Sequence, residues 1–301
     1  MPSSDVAVTA PALAPPGPFR AFWEAFRENR GAVAGMILVL LILAIAILAP
    51  LLAPYDPLEQ IKGATKLPPF WAEGHDSRFL LGTDAVGRDM LSRLMYGARL
   101  SLRIGFTVMA VSMVVGVLIG LAAAWFGGIV DVAIIRIMDL IMAIPSLVLA
   151  ILIIAIIGPS FTNTIVAVTV VYMPRYVRLV RASALAELSR DYVTAAKVAG
   201  VGPFRLMLNS VLPNCMAPLI VQAALGMSDA ILEAAGLGFL GLGAQPPTPE
   251  WGAMLADTRD LMQSHPWVMA LPGLAILITV MAINLMGDGL RDALDPRLRK
   301  S

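Results

Sequence analysis

The side chains best placed for chemistry are acids inside apolar segments. Asp229 and Glu233 stand four residues apart, on one face of a predicted helix. Acids in such segments are costly and are often functional or paired. This pair could hold an amino group or a metal ion; alternatively, it faces a water-filled vestibule, or the helix ends early. A third acid, Asp139, follows Arg136 by three residues, and this spacing predicts an ion pair at the end of a span.

A second group of charged residues lies in the motif Leu81-Gly82-Thr83-Asp84 and Gly87-Arg88-Asp89. One interpretation is a locally capped turn, in which Asp84 and Arg88 only stabilise the loop. The other is a contact with a substrate or a partner protein, because loops on a rigid scaffold often carry function.

The sequence lacks the common signatures of an enzyme. A phosphate-binding P-loop requires a lysine directly after a glycine, and none of the four lysines (Lys62, Lys66, Lys197 and Lys300) follows one. With one cysteine, two distant histidines and no G-x-S-x-G pattern, metal, redox and serine hydrolase sites are also disfavoured. We therefore expect no catalytic residue, no metal and no cofactor in this chain.

Composition indicates a membrane protein. Hydrophobic residues make up 58% of the 301 residues and charged residues only 14%, whereas soluble domains have roughly 45–50% and about 25%. This surplus exceeds what a soluble core can absorb, so it belongs in a bilayer. The net charge of +1 gives no reason to expect nucleic acid as a partner.

Runs without charge locate the membrane spans, because a spanning helix needs about 20 mainly apolar residues. The longest run, 140–174, is too long for one span, and we divide it at Gly158-Pro159-Ser160. Gly116 and Gly120 form a GxxxG pair that predicts close helix packing. The predicted fold is an all-α integral membrane protein with six transmembrane helices, at about 33–53, 104–126, 132–157, 161–178, 216–238 and 268–287.

The distribution of positive charge predicts the orientation. With six spans both termini lie on one side, and that side holds 14 of the 22 lysines and arginines. The positive-inside rule therefore places both termini in the cytoplasm. Residues 1–32 form a cytoplasmic tail, disordered over 1–18, and residues 54–100 form an extracytoplasmic loop that becomes helical from about Asp89.

The cytoplasmic segment between spans four and five has an unusual pattern. A helix is predicted over 184–199, then a turn at Gly200 and Gly202-Pro203, then a second helix that runs into Leu212-Pro213, where the next span starts. The turn is rich in small side chains, which allow close approach by a partner. The simpler alternative is a connector that lies on the lipid headgroups.

This pattern resembles the EAA loop of permeases of ABC importers, with Thr194 at the position of the glutamate that gives the loop its name. The segments 81–102, 236–252 and 284–299 are similar to the peptide/nickel branch of that family, closest to the C-type permease subunit of dipeptide importers. The resemblance covers about 20–301 and implies that 101–301 form the permease transmembrane core. The residues that it assigns to contact with an ATPase, called the coupling loop below, are Asp191, Thr194, Ala195, Ala196, Gly200, Gly202, Leu212 and Pro213.

The resemblance also implies partners. They are a second homologous permease subunit, two ATPase subunits that bind ATP-Mg, an extracytoplasmic binding protein and the lipids of a bacterial inner membrane. A dipeptide is the preferred cargo; longer peptides, nickel complexes and haem-like cargo stay open. An ion-driven transporter or channel is the main alternative, but such folds usually contain internal repeats with charges at mid-membrane in both halves, and no such repeat is visible.

Overall fold

The computed structural model describes residues 17–294 of the chain, so most of the predicted disordered tail, 1–18, lies outside the described residues. Regular structure in the described range is helical, with one isolated bridge between Thr83 and Asp89. The all-α class is thus confirmed for this part of the chain. The helices are α1 (Pro18–Glu28), α2 (Arg30–Leu52), α3 (Met90–Phe126), α4 (Gly128–Met142), α5 (Ser146–Ile157), α6 (Phe161–Leu188), α7 (Asp191–Val198), α8 (Pro203–Leu206), α9 (Leu212–Phe239), α10 (Trp251–Asp257) and α11 (Pro266–Leu294).

Four described helical runs are long and apolar enough to cross a membrane, and a fifth is possible if α4 and α5 are counted together. The four are α2, α3, the continuous run Pro203–Phe239 and α11. Helix α6 is not among them because its second half carries Arg175, Arg178 and Arg181. The chain is therefore a multi-pass helical membrane protein, while the count of six spans stays a prediction.

The third predicted span is not a straight helix. The expected helix over 132–157 is divided into α4 and α5, whose axes differ in direction by 92°. Pro145 explains the break, because proline has no N–H to donate and disfavours helical geometry in the residue before it, Ile144. Helix α5 ends at Gly158, which has a positive φ of 88°.

The helix predicted over 184–199 is also wrong as a single element. Helix α6 ends at Leu188, and α7 begins at Asp191 after an extended residue, Arg190. The Ser189 hydroxyl donates to the carbonyl of Ala186 at 2.8 Å. This bond competes with the helical pattern, as serine commonly does, and the chain turns at this point.

The next long helix, α9, begins at Leu212-Pro213, where the sequence predicted the start of the next span. The chain runs from α8 through a π-helical turn, Met207–Val211, directly into α9. A proline in a regular helix clashes with the carbonyl four residues earlier, here that of Asn209. Since Asn209 lies in the wider π turn, the helix passes the proline without a break.

Helix α3 lies at the centre of the packing and makes its closest contacts through glycines. A Cβ at Gly116 would lie 2.4 Å from Cβ of Tyr176, and one at Gly120 would lie 2.8 Å from the Val177 carbonyl oxygen. The GxxxG pair therefore packs α3 against α6 within this chain, as small residues do in membranes. Asp89 begins α3 as its N-cap, accepting a hydrogen bond from the Ser92 N–H at 2.7 Å.

Candidate functional site

The coupling loop is held to the helices by buried apolar anchors at both ends. Val193 of α7 and Leu206 of α8 are fully buried in a cluster that includes Tyr176 and Val180 of α6 and Cys215 of α9. The loop is therefore a fixed part of the fold. It joins α6 and α9 directly.

Between these anchors the predicted contact residues face outward. Thr194, Ala195 and Gly202 are exposed, and Ala196 is half-buried. Gly200 has a φ of +79°, as predicted for a glycine that ends a helix, and no atom lies within 4 Å of the position of a Cβ there. Open space over small side chains lets a partner approach the backbone closely. The remaining members stand at helix starts: Asp191 is the first residue of α7, and Leu212 and Pro213 begin α9.

Two large apolar side chains beside this turn were missed from the sequence. Val198 is 85% exposed and Phe204 is 78% exposed. Exposed apolar groups that lie together commonly mark an interaction surface. In the sequence these two apolar residues flank the Gly-Val-Gly-Pro turn, and this position could have drawn attention to them. Periodicity alone does not tell whether such residues point into the protein or toward solvent.

Tyr192 ties the coupling loop to both neighbouring helices. Its hydroxyl donates to Oε2 of Glu187 at 2.6 Å, and Nδ2 of Asn214 donates to the hydroxyl oxygen at 3.1 Å. Desolvation, followed by the bond to Glu187, raises the pKa of Tyr192. One side chain thus connects α6, α7 and α9.

Helix α6 carries three arginines that pair with acids on other helices. Nη1 of Arg175 lies 2.7 Å from Oδ2 of Asp229 on α9. The next two arginines of this face pair with α4: Arg178 with Asp139, and Arg181 with Asp131. The prediction that Asp139 pairs with Arg136 was therefore wrong. We call these three pairs the charge-paired face.

Asp229 and Glu233 border one cavity, as their spacing on a helix predicted. The cavity has a volume of about 570 Å³ and lies among α5, α6, α9, α10 and α11. The Ser146 hydroxyl donates to Oε2 of Glu233 at 3.3 Å, whereas Oε1 of Glu233 is buried without a hydrogen-bond partner. The remaining lining residues are Leu147, Tyr172, Leu232, Ala235, Gly236, Phe239, Leu255, Gly273 and Ile276.

The structure places Asp84 and Arg88 in a buried turn. Oδ1 of Asp84 accepts from the N–H groups of Val86 and Arg88 at 3.0 and 2.9 Å, and Oδ2 lies 2.5 Å from Nε of Arg88. Nη2 of Arg88 also lies 3.5 Å from Oδ2 of Asp257. The capped turn is therefore present, and it ties the loop between α2 and α3 to the end of α10.

Arg93 extends this network to the segment that precedes α10. It is 1% exposed, its Nε lies 3.6 Å from Oδ2 of Asp84, and its Nη1 donates to the carbonyls of Pro57 and Pro247 at 3.2 Å each. A buried guanidinium is tolerated when acceptors surround it in this way. Arg93 therefore joins three separate segments.

Apolar helices in several passes define a multi-pass membrane protein, and the anchored loop with an open surface offers a place for a partner to bind. In agreement, residues 116–300 match the family model described as binding-protein-dependent transport system inner membrane component. Residues 17–69 match the N-terminal TM domain of oligopeptide transport permease C. The chain belongs to this family of transport permeases, which confirms the resemblance found in its motifs.

Characterised relatives match over nearly the whole chain. The di/tripeptide transport system permease protein DppC of Pseudomonas aeruginosa is 56% identical over 97% of this chain and 96% of its own length. The dipeptide transport system permease protein DppC of Escherichia coli is 56% identical over 95% of each chain. The Haemophilus influenzae protein of that name is 52% identical over 96% of this chain and 98% of its own.

Solved structures support the fold. A chain of the MetNI methionine ABC transporter, crystallised in inward-facing conformations, matches with a TM-score of 0.54 and 21% identity. The match covers 68% of this chain and 98% of that one. At this identity the likeness concerns the fold alone.

Proposed function

We propose that this permease forms half of the pathway of an ATP-driven importer for dipeptides or short peptides. We choose this cargo because the chain is 56% identical, over nearly its full length, to permeases named for dipeptide and di/tripeptide transport. In this proposal ATP-Mg binds to two separate ATPase subunits, and the chain itself is not an enzyme. The lack of a glycine-lysine P-loop in the sequence agrees with that division of labour.

The topology proposed is six spans with both termini in the cytoplasm of a bacterial inner membrane. Helix α6 is the uncertain element by composition alone, but its three arginines are each neutralised by an acid of α4 or α9. Paired charges inside a helix bundle are compatible with a span. The outer loop, 54–100, then meets the binding protein, and Asp84 and Arg88 hold its shape from within.

The charge-paired face lines the pathway in this proposal. Side chains of Arg175 and Asp229 are 41% and 45% exposed, and half-exposed charges at membrane depth are too costly to face lipid. They therefore face either water or the second, homologous permease subunit. Residues 101–301 supply this surface and act as the transport core.

The coupling loop is the proposed contact with an ATPase subunit. Its support is geometric: an open surface of small side chains, flanked by exposed Val198 and Phe204, on a loop anchored by buried Val193 and Leu206. A partner that binds there can move α6 and α9 together, because the loop is anchored to both. Thr194 is exposed in this surface and supplies no carboxylate to the contact.

The proposal is tested by co-purification and uptake with the complete importer. We expect Gly200→Asp to reduce the amount of ATPase that co-purifies with the permease by about tenfold, because a charged side chain would occupy the open surface that the partner approaches. Uptake of a labelled dipeptide should fall in parallel. Unchanged co-purification and uptake would contradict the assignment of the loop.

Gly63→Asp is the matched control. Gly63 also has a φ of +79° and open space around it, but it lies in the outer loop, so it should retain bound ATPase. The energy source is tested separately in cells that express the wild type. Uptake that survives ATP depletion but stops with a proton uncoupler would favour an ion-driven transporter, and uptake of nickel complexes instead of peptides would change the cargo.

A further inference from the structure

The cavity beside the charge-paired face is bordered by two acids, of which only one forms an ion pair among the described residues. Asp229 lies 2.7 Å from Arg175, so its charge is balanced. Among the described residues no ion pair includes Glu233, although it borders the same cavity. The cavity therefore has, at one defined place, a carboxyl group without an ion-pair partner among the described residues.

Ser146 and Tyr172 lie beside the carboxyl group of Glu233, but part of its hydrogen-bonding capacity is unused. Ser146 donates to Oε2 at a long 3.3 Å, and Oε1 is buried with no partner. Buried carboxylate oxygens normally have donors, and an exception calls for an explanation. A cationic N–H donor is the partner that such an oxygen binds most strongly.

The rest of the cavity is suited to variable side chains. Most of its wall is aliphatic or aromatic, including Leu147, Leu232 and Phe239, and its volume of about 570 Å³ falls in the range of small-molecule sites. Peptides of different sequence share only their backbone and their charged ends. A pathway that carries many of them can use a single polar group for the shared end and an apolar wall for the remainder.

We propose that Glu233 binds the α-ammonium group of the peptide during its passage through this cavity. This inference rests on the proposed peptide-import function. The site has one free carboxylate, since Arg175 holds Asp229, and a pathway site must bind its cargo weakly enough to release it. Two free carboxylates would retain a cation more strongly.

The test uses the complete transporter, with both permeases, both ATPases and the binding protein, in proteoliposomes supplied with labelled dialanine. We expect Glu233→Gln to lower dialanine uptake by about tenfold, since a charge-assisted hydrogen bond becomes a neutral one. ATP hydrolysis stimulated by the peptide-loaded binding protein should stay near the wild-type rate. The number of peptides transported per ATP therefore falls.

Glu233→Asp and Glu28→Gln complete the design. Glu233→Asp keeps the charge and should retain most uptake, and it also serves if Glu233→Gln does not assemble. Glu28→Gln makes the same change at the exposed end of α1, outside both the cavity and the outer loop, and should have no effect. The inference is overturned if Glu233→Gln transports at the wild-type rate, or if Glu233→Asp loses as much uptake as a neutral substitution would. Failure of the wild type to import dialanine with ATP would instead refute the proposed function.

Discussion

The three arginines of α6 are each explained by a particular acidic partner. Arg175, Arg178 and Arg181 are spaced by three residues on α6, and each reaches an acid of another helix. Such pairing lowers the cost of a charge at membrane depth. Glu233 lacks such a partner among the described residues, and for that reason we assign it a role in binding.

Tyr192 provides the residue-scale prediction. Tyr192→Phe removes the hydroxyl that connects Glu187 and Asn214, at a cost of about 1 kcal/mol for a hydrogen bond of this kind. We expect the ATPase to remain bound but less peptide to be transported per ATP, because α7 is then held less firmly to α6 and α9. The measurement is the ratio of peptide uptake to ATP hydrolysis in proteoliposomes.

Tyr55→Phe is the control for that measurement. The Tyr55 hydroxyl donates to the Arg78 carbonyl at 3.4 Å in the exposed outer loop, so its removal should leave the ratio unchanged. Equal ratios for the wild type and Tyr192→Phe would show that the hydroxyl does not help to couple the loop to the helices.

At the scale of elements, the sequence predicted which segments are helical better than how they are joined. Apolar runs of about 20 residues permit little except a spanning helix, so α2, α3 and α11 appear close to their predicted positions. The break after Leu188 and the π-helical turn before Leu212 were missed. Both depend on local choices, a serine hydroxyl bond and a π turn, that compete with strong helix propensity.

Contacts between distant elements were not predictable. Asp139 was assigned to Arg136 because the two are near in sequence, but Arg178, 39 residues away, is its partner. Which helices are neighbours is decided by packing, such as that of Gly116 against Tyr176. The small residues of the coupling loop could be identified, whereas the exposure of Phe204 required the structure.

Arg93 gives the element-scale prediction, because it joins the outer loop, α3 and the segment before α10. Arg93→Ala leaves buried acceptors without a donor and should destabilise the protein by about 3–5 kcal/mol, as removal of one member of a buried ion pair does. Thermal unfolding in detergent measures this loss. The loop 54–89 should also become more sensitive to protease.

The same substitution at an exposed arginine serves as a comparison. Arg78 pairs with Asp76 at 2.7 Å, but its side chain is 64% exposed, and exposed pairs contribute little. Arg78→Ala should therefore leave the melting temperature close to that of the wild type. If Arg93→Ala and Arg78→Ala have the same melting temperature, the Arg93 network does not stabilise this part of the protein.

At the scale of the whole molecule, the proposed ATPase contact and the proposed peptide site lie on the same two helices. The coupling loop joins α6 to α9, and these helices carry Arg175 and Glu233 beside the cavity. About 17 residues of helix separate Leu212 from Asp229, which corresponds to roughly 25 Å. A displacement of the loop therefore reaches the cavity through continuous helix, without an intervening flexible segment.

This arrangement requires α6 to cross the membrane, which single cysteines can test. The native Cys215 is fully buried, so an impermeant maleimide should label only an added cysteine. Six spans place exposed Ser77 and Thr162 outside and exposed Ser189 inside. In spheroplasts we expect labelling of Ser77→Cys and Thr162→Cys, and labelling of Ser189→Cys only after permeabilisation. Labelling of Ser189→Cys from outside would mean that α6 returns to the outer face, and the loop could not meet a cytoplasmic ATPase.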